Sequence, residues 1–362
     1  MLPGRRAFLM TLASLPAWRA GELLAEAPIE FAVVRPGHIL KFPRDHGAHP
    51  DFRNEWWYAT GWLSLPDGSP LGFQCTFFRV RTGLGEGNPS AFAPRQLVLA
   101  HAAIADPQLG RLRYAQRTAR TGFGRAGFAG GRTEVWIDDW RFEQDAGRYR
   151  LAVWAADFAY ELSLAADGPP LLNGDAGFSR KAPDPRHASY YYSRPQLAVS
   201  GTLTRDGRPQ AVTGRAWLDH EWSSQLLPEG AQGWDWLGLN LDDGGALMAF
   251  RLRSPDGSPL WAAATLQPAG QVAQALPPAA VAFEPLRHWR SPRSGISYPV
   301  EWRIRIGQRT FEVRPLLDDQ ELDSRRSTGA IYWEGAMRVA EEGREVGRGY
   351  LEMTGYGERI KV

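Results

Sequence analysis

Three short runs crowd tryptophan against ionisable side chains: Arg53-Asn-Glu-Trp-Trp-Tyr58, Trp217-Leu-Asp-His-Glu-Trp222 and Gly233-Trp-Asp-Trp236. In a strand, successive side chains point to opposite faces. His220 and Trp222 then share a face with Leu218, while Asp219 and Glu221 share the other with Trp217. Glu55 lies with Arg53 and Trp57, and Trp56 with Asn54 and Tyr58. Each run thus sets an acid or a histidine beside an indole. Brought together, they would wall a cavity suited to acid chemistry on an apolar substrate. A positioned acid protonates a carbon–carbon double bond, indole faces stabilise the carbocation, and a bound water attacks. That reaction is an alkene hydration. The competing reading is structural: buried charge needs a partner, so Arg53 with Glu55, or His220 with a carboxylate of another strand, would tie strands together.

Other chemistries lack their residues. No Gly-x-Ser-x-Gly elbow, phosphate loop or His-Glu-x-x-His motif occurs, so side chains alone are expected to act, without a cofactor. His46 and His49 flank Gly47 beside Asp45, but without a third ligand in view they read as surface-loop histidines, and no metal site is expected. The single cysteine, Cys75, sits in an apolar run and reads as a buried small hydrophobe.

The elements that must position these residues are strands. From Trp56 onward, β-rich runs alternate with turns at Pro66-Asp-Gly68, Asp145-Ala-Gly147, Asp167-Gly168, Asp206-Gly207, Asp243-Gly244 and Asp256-Gly257. That spacing is typical of sandwiches and barrels, and runs such as Tyr149–Trp154 and Trp302–Ile306 alternate with period two. The chain is therefore expected to be all-β. Its 362 residues suit two domains, and Leu65-Pro-Asp-Gly-Ser-Pro-Leu71 returns as Ser254-Pro-Asp-Gly-Ser-Pro-Leu260. The Pro-, Lys- and Tyr-rich stretch 180–194 is the expected junction, dividing the mature chain into 28–194 and 195–362. With 42 basic and 40 acidic residues and no long run of like charge, nucleic acid is an unsuitable partner. Arg5-Arg6 followed by an apolar stretch to Leu15 resembles a twin-arginine signal over residues 1–27, which implies a periplasmic or secreted protein.

Longer blocks carry a family resemblance. Asp45-His-Gly47, Glu55-Trp-Trp-Tyr58 and Phe77-Phe-Arg79 are joined by Gly177-Phe-Ser-Arg-Lys181, Tyr190-Tyr-Tyr-Ser193 and the run from Trp217 to Ser224. Gly233-Trp-Asp-Trp236, Tyr332-Trp-Glu-Gly335 and Gly349–Tyr356 complete a pattern that resembles the AttH and carotenoid 1,2-hydratase family, its exported branch above all. The resemblance implies two packed lipocalin-like antiparallel β-barrels with a lipid or isoprenoid-like ligand at or near their contact. It also implies a hydratase, or alternatively a non-catalytic carrier or chaperone serving an envelope ABC-type transporter. The hydratase branch uses a histidine and a tryptophan two apart, matching His220 and Trp222, but its Tyr-x-Asp pair is replaced here by Ala246–Phe250. The expected catalytic set is therefore His220 with Asp219, Glu221, Glu55 or Asp235. The expected ligand wall is Trp56, Trp57, Tyr58, Tyr191, Trp222, Trp234, Trp236 and Trp333.

Overall fold

In the computed structural model, residues 29–225 and 227–360 are described; the expected export signal lies outside them. The first sheet comprises β1 (Asn54–Ser64), β2 (Pro70–Arg81), β3 (Gln96–Asp106), β4 (Arg111–Arg120), β5 (Ala126–Phe128), β6 (Glu134–Ile137) and β7 (Trp140–Asp145). It continues through β8 (Arg148–Trp154), β9 (Phe158–Ala165), β10 (Leu171–Leu172), β11 (Phe178–Arg180), β12 (Ala188–Arg205) and β13 (Arg208–Gln225). The second comprises β14 (Gly233–Leu241), β15 (Ala246–Arg253), β16 (Pro259–Gln267), β17 (Gln274–Leu276) and β18 (Val281–Arg290). It ends with β19 (Ser297–Ile306), β20 (Arg309–Pro315), β21 (Glu321–Asp323), β22 (Ile331–Glu341) and β23 (Arg344–Met353). Among the described residues the only helical pieces are two three-residue 3-10 turns. The all-β, lipocalin-like expectation is met.

Each sheet pairs its first long strand with its last, β1 with β13 and β14 with β23, and curls around its own core. In the first sheet β6 comes against β3 and β4, which nearly closes a barrel. The expected turns join consecutive strands, and Asp206-Gly207 and Ala146-Gly147 take the positive φ pairs that tight hairpins require. The repeated Pro-Asp-Gly-Ser-Pro run joins β1 to β2 but β15 to β16, which are not equivalent hairpins, so the echo is one of turn chemistry. The chain crosses between sheets after Gln225. The stretch 180–194, expected as the junction, instead contributes β11 and the start of β12 to the first sheet.

Period-two alternation explains where the core sits. Trp57, Ala59 and Leu63 of β1 face the first barrel's interior with Phe73, Cys75, Phe77 and Leu218. Tyr58 and Trp62 face the opposite way, into a third apolar cluster with Trp217, Trp236, Phe250 and Tyr350. That cluster is the seam between the two barrels, where β1 meets β23, β2 meets β22 and β13 meets β14. Segment 31–53 crosses one end of the first barrel and packs Val34 and Leu40 on Tyr190, Tyr192 and Trp222. Its passage is tight at Gly47, where an added Cβ would lie 2.1 Å from the Gly131 nitrogen.

Candidate functional site

Two buried polar clusters flank β13, one on each face, and neighbouring residues feed them. His220 points into the end of the first barrel, where Glu55 stands at the centre. Glu55 Oε1 accepts from His49 Nδ1 at 2.8 Å and His220 Nε2 at 2.9 Å. Its Oε2 accepts from Arg79 Nε at 2.7 Å, directly across the β1–β2 ladder, and from the His49 backbone N–H at 2.9 Å. The Tyr192 hydroxyl lies 3.1 Å from His220 Nδ1 and 2.9 Å from His46 Nδ1. Trp222 stacks on His49 at 3.7 Å and Trp57 on His220 at 4.8 Å. Burial alone would raise the Glu55 carboxyl, but Arg79 and the two imidazoles hold it well below the usual carboxylate range. Burial drives His220 down to about 4 against the pull of Glu55, leaving a neutral imidazole that donates from Nε2 and accepts at Nδ1. His49, between Asp45 and Glu55, is raised despite its burial.

This arrangement corrects several expectations. Glu55 pairs with Arg79 rather than Arg53, and His46 and His49 are built into the cluster rather than lying on a surface loop. His220, expected as the acid, spends both nitrogens inside the barrel and faces away from the seam. His49 Nδ1, Glu55 Oε1 and His220 Nε2 lie within 4.8 Å of one another and could hold a cation. As arranged, their protons bridge to Glu55 and Arg79 already matches its charge.

Asp219 and Glu221 point the other way, into the seam. Asp219 accepts from the Tyr191 and Ser193 hydroxyls and from Trp217 Nε1, each at 2.6 Å. Burial nevertheless pushes Asp219, which forms no ion pair among the described residues, up to about 7 against those three donors, with Glu221 adding to the rise. Glu221 accepts from the Ser189 hydroxyl and pairs with Lys181 at 2.8 Å; that ammonium lies 4.2 Å from the Phe250 ring centre. From the second barrel, Glu334 and Glu352 stand opposite each other on β22 and β23. Burial raises both, and repulsion from Glu334 raises Glu352 further, so the pair retains a proton near neutrality. Gln74 Nε2 reaches Glu334 at 2.7 Å and ties the barrels together.

The seam, like both barrel interiors, also holds unmatched polar atoms. Thr60 Oγ1, Gln74 Oε1 and Tyr350 OH are buried without a hydrogen-bond partner. Thr60 and Tyr350 line a cavity of about 430 Å³ between the barrels, walled by Trp62, Trp217 and Val199 and reached past Arg215, Asp242 and Arg348. Trp217 lines this space and donates its indole N–H to Asp219, which does not itself line it. The site therefore combines aromatic walls, unpaired hydroxyls and carboxyl groups that hold protons at neutral pH.

Of the expected residues, the seam gathers Asp219, Glu221, Trp56, Tyr58, Tyr191, Trp234 and Trp236. It does not receive Glu55, His220, Trp57 or Trp222, which belong to the first barrel's interior and end. Trp333 is in the second barrel's core, where its Nε1 donates to the Asp318 carbonyl at 2.8 Å. Asp235 faces the same interior, 2.7 Å from Arg251 Nε and 2.9 Å from Arg253 Nε. Glu334, Glu352, Tyr350 and Thr60 were not expected. Period two did carry a signal, because Glu334 and Glu352 sit between the inward-facing Trp333, Gly335, Leu351 and Met353.

Residues 33–356 match the AttH-like family model. A crystal structure of an AttH protein from Nitrosomonas europaea is 49% identical, covers 90% of this chain and 100% of its own, and superposes with a TM-score of 0.85. Kievitone hydratase from Nectria haematococca shares the fold at 15% identity, over 90% of this chain and 96% of its own, with a TM-score of 0.66. CghA, solved with Sch210972, does so at 16% identity, over 85% and 89%, with a TM-score of 0.55. No curated protein matches the sequence. The chain belongs to the AttH-like family.

Proposed function

We propose that this is an exported protein that holds an apolar, unsaturated molecule in the inter-barrel seam and hydrates it, with Asp219 as the proton source. The observation that carries the reading is a carboxyl group raised by burial to about 7 beside an aromatic wall, hydrogen-bonded to Tyr191, Ser193 and Trp217. A general acid works best when its pKa lies near the working pH. In the reaction, the Asp219 proton passes to one carbon of the double bond and the other carbon becomes cationic. Trp217, Tyr350 and Trp236 face that charge with their π systems. Water adds to the cation, and the proton it releases returns to the Asp219 carboxylate. Kievitone hydratase, similar in fold, makes hydration a reasonable chemistry for such a frame, although fold alone does not assign it.

The test begins with native mass spectrometry of protein purified from its own periplasm and identification of the extracted compound. Turnover in ¹⁸O water should add one labelled water to that compound. Asp219→Asn should retain the compound and lose the labelling; an unaltered labelling rate would remove Asp219 from the chemistry. A second reading, a carrier that delivers its ligand to an envelope transporter, is favoured by Asp219 not itself lining the cavity that its partner Trp217 lines. Ligand retention with no labelled product from wild type would select it.

A further inference from the structure

The cavity has the Trp62 and Trp217 indoles in its wall and takes one guanidinium from each barrel: Arg215 from β13 and Arg348 from β23. We infer that the ligand is an amphipathic anion, its carboxylate or phosphate group held between Arg215 and Arg348 and its apolar body laid along Trp62 and Trp217. The inference rests on the seam being the ligand site. Neither arginine is locked by a strong partner. Among the described residues Arg348 forms its ion pair with Glu345, at 3.2 Å, both side chains being 43% exposed. Such exposed pairs contribute little and are readily exchanged for another anion. Arg215 donates one bond, at 2.6 Å, to the neutral Gln196 amide. The remaining donors of both forks are free to take a planar or tetrahedral oxyanion in bidentate fashion.

The Arg348 guanidinium lies 4.9 Å from the Trp62 ring centre, so the indole orients it while its Nε1 is occupied by the Gly349 carbonyl at 3.1 Å. Asp242 on the rim and Glu345 beside Arg348 oppose an anion, but both are exposed, where solvent weakens their effect. Deeper in, Thr60 and Tyr350 are each 1% exposed and their hydroxyls lack partners. Burying such groups unpaired is costly, which suits a ligand with a polar group part-way along its chain. A volume near 430 Å³ is in the range of small-molecule sites.

The probe is a fluorescent polyene fatty acid, compared with its methyl ester, its alcohol and the matching alkyl phosphate on the full mature protein. The acid, the phosphate or both should bind at least tenfold more tightly than the ester and alcohol, and added salt should narrow the gap. Which anion binds better identifies the head group. The Arg215→Gln/Arg348→Gln double variant, both of its sites being on the surface, should lose that advantage and keep the ester's affinity. Equal binding of all four probes, unchanged in the double variant, would overturn the anionic head group and leave the seam as a site for neutral ligands. No binding of any probe would overturn the seam reading itself.

Discussion

His220 and Asp219 are neighbours on one strand, both buried, yet the clusters they enter are built on opposite principles. At the end of the first barrel the Glu55 carboxylate meets Arg79 and two imidazoles, and its pKa is driven down. In the seam the Asp219 carboxyl meets three neutral donors and a neighbouring carboxylate, and it is driven up. Desolvation is the largest influence in both, so the presence of a cation decides the sign. Matched charge marks a lock that fastens segment 31–53 to the barrel. The proton-rich and partly unmatched seam is the arrangement expected of a site that works on a ligand.

The largest effect should follow from breaking the lock. Glu55→Gln leaves the Arg79 guanidinium buried without its charge partner, which costs about 3–5 kcal/mol. Denaturant unfolding at neutral pH reads it. A loss below about 1 kcal/mol would mean that the cluster is not a lock, and the contrast between the faces would fall. The pH dependence has the matching sign. Because the folded-state pKa of Glu55 is depressed, its stabilisation is complete above the unfolded value and disappears as pH falls through the folded one.

His220→Gln is next, at about 2 kcal/mol for a buried hydrogen-bonded group. Its value lies in what should not change: the seam's affinity for an apolar probe, measured below the variant's melting temperature. Loss of probe binding in a folded His220→Gln protein would return His220 to the ligand site.

Much of this was legible in the residues. The alternation that separates His220 and Trp222 from Asp219 and Glu221 is a property of any strand, and the turns that open β13 and close β14 announce themselves by Asp-Gly. What alternation does not say is which face meets the second barrel. A solvated strand such as β8 shows one polar face, whereas β1 and β13 are covered on both over their site halves and give no such cue. Partners distant in sequence were equally hidden. Arg79 is 24 residues from Glu55, and Glu334 is 260 from Gln74. The misplaced junction has a physical cause too. Residues 180–194 look like a linker because their prolines and charges form the turn between β11 and β12, while the tyrosines after it are strand.

Asp219→Asn sharpens the seam side. The Asp219 pKa is raised on folding, so wild-type stability should decline from about pH 4 to about pH 7 and level off above. The amide removes that decline but cannot accept all three hydrogen bonds. The net gain at pH 8 should therefore be roughly 1–2 kcal/mol, reversing to a loss at pH 4. A parallel pH profile in wild type and variant would show that Asp219 is ionised throughout, and the seam would then resemble the lock.

The smallest expected effect isolates a single bond. Trp217→Phe keeps an aromatic wall but removes the indole N–H that reaches Asp219. A hydrogen bond to the ionised form lowers an acid's pKa, so its loss should move Asp219 above 7 and cost about 1 kcal/mol where the group is half ionised. Carboxyl ¹³C titration of the labelled protein follows the shift directly. A downward movement would mean that water admitted beside the smaller ring solvates the carboxylate better than the indole did. Trp217 would then act mainly to keep the acid dry, and enlarging the wall rather than trimming it would be the way to raise the acid further.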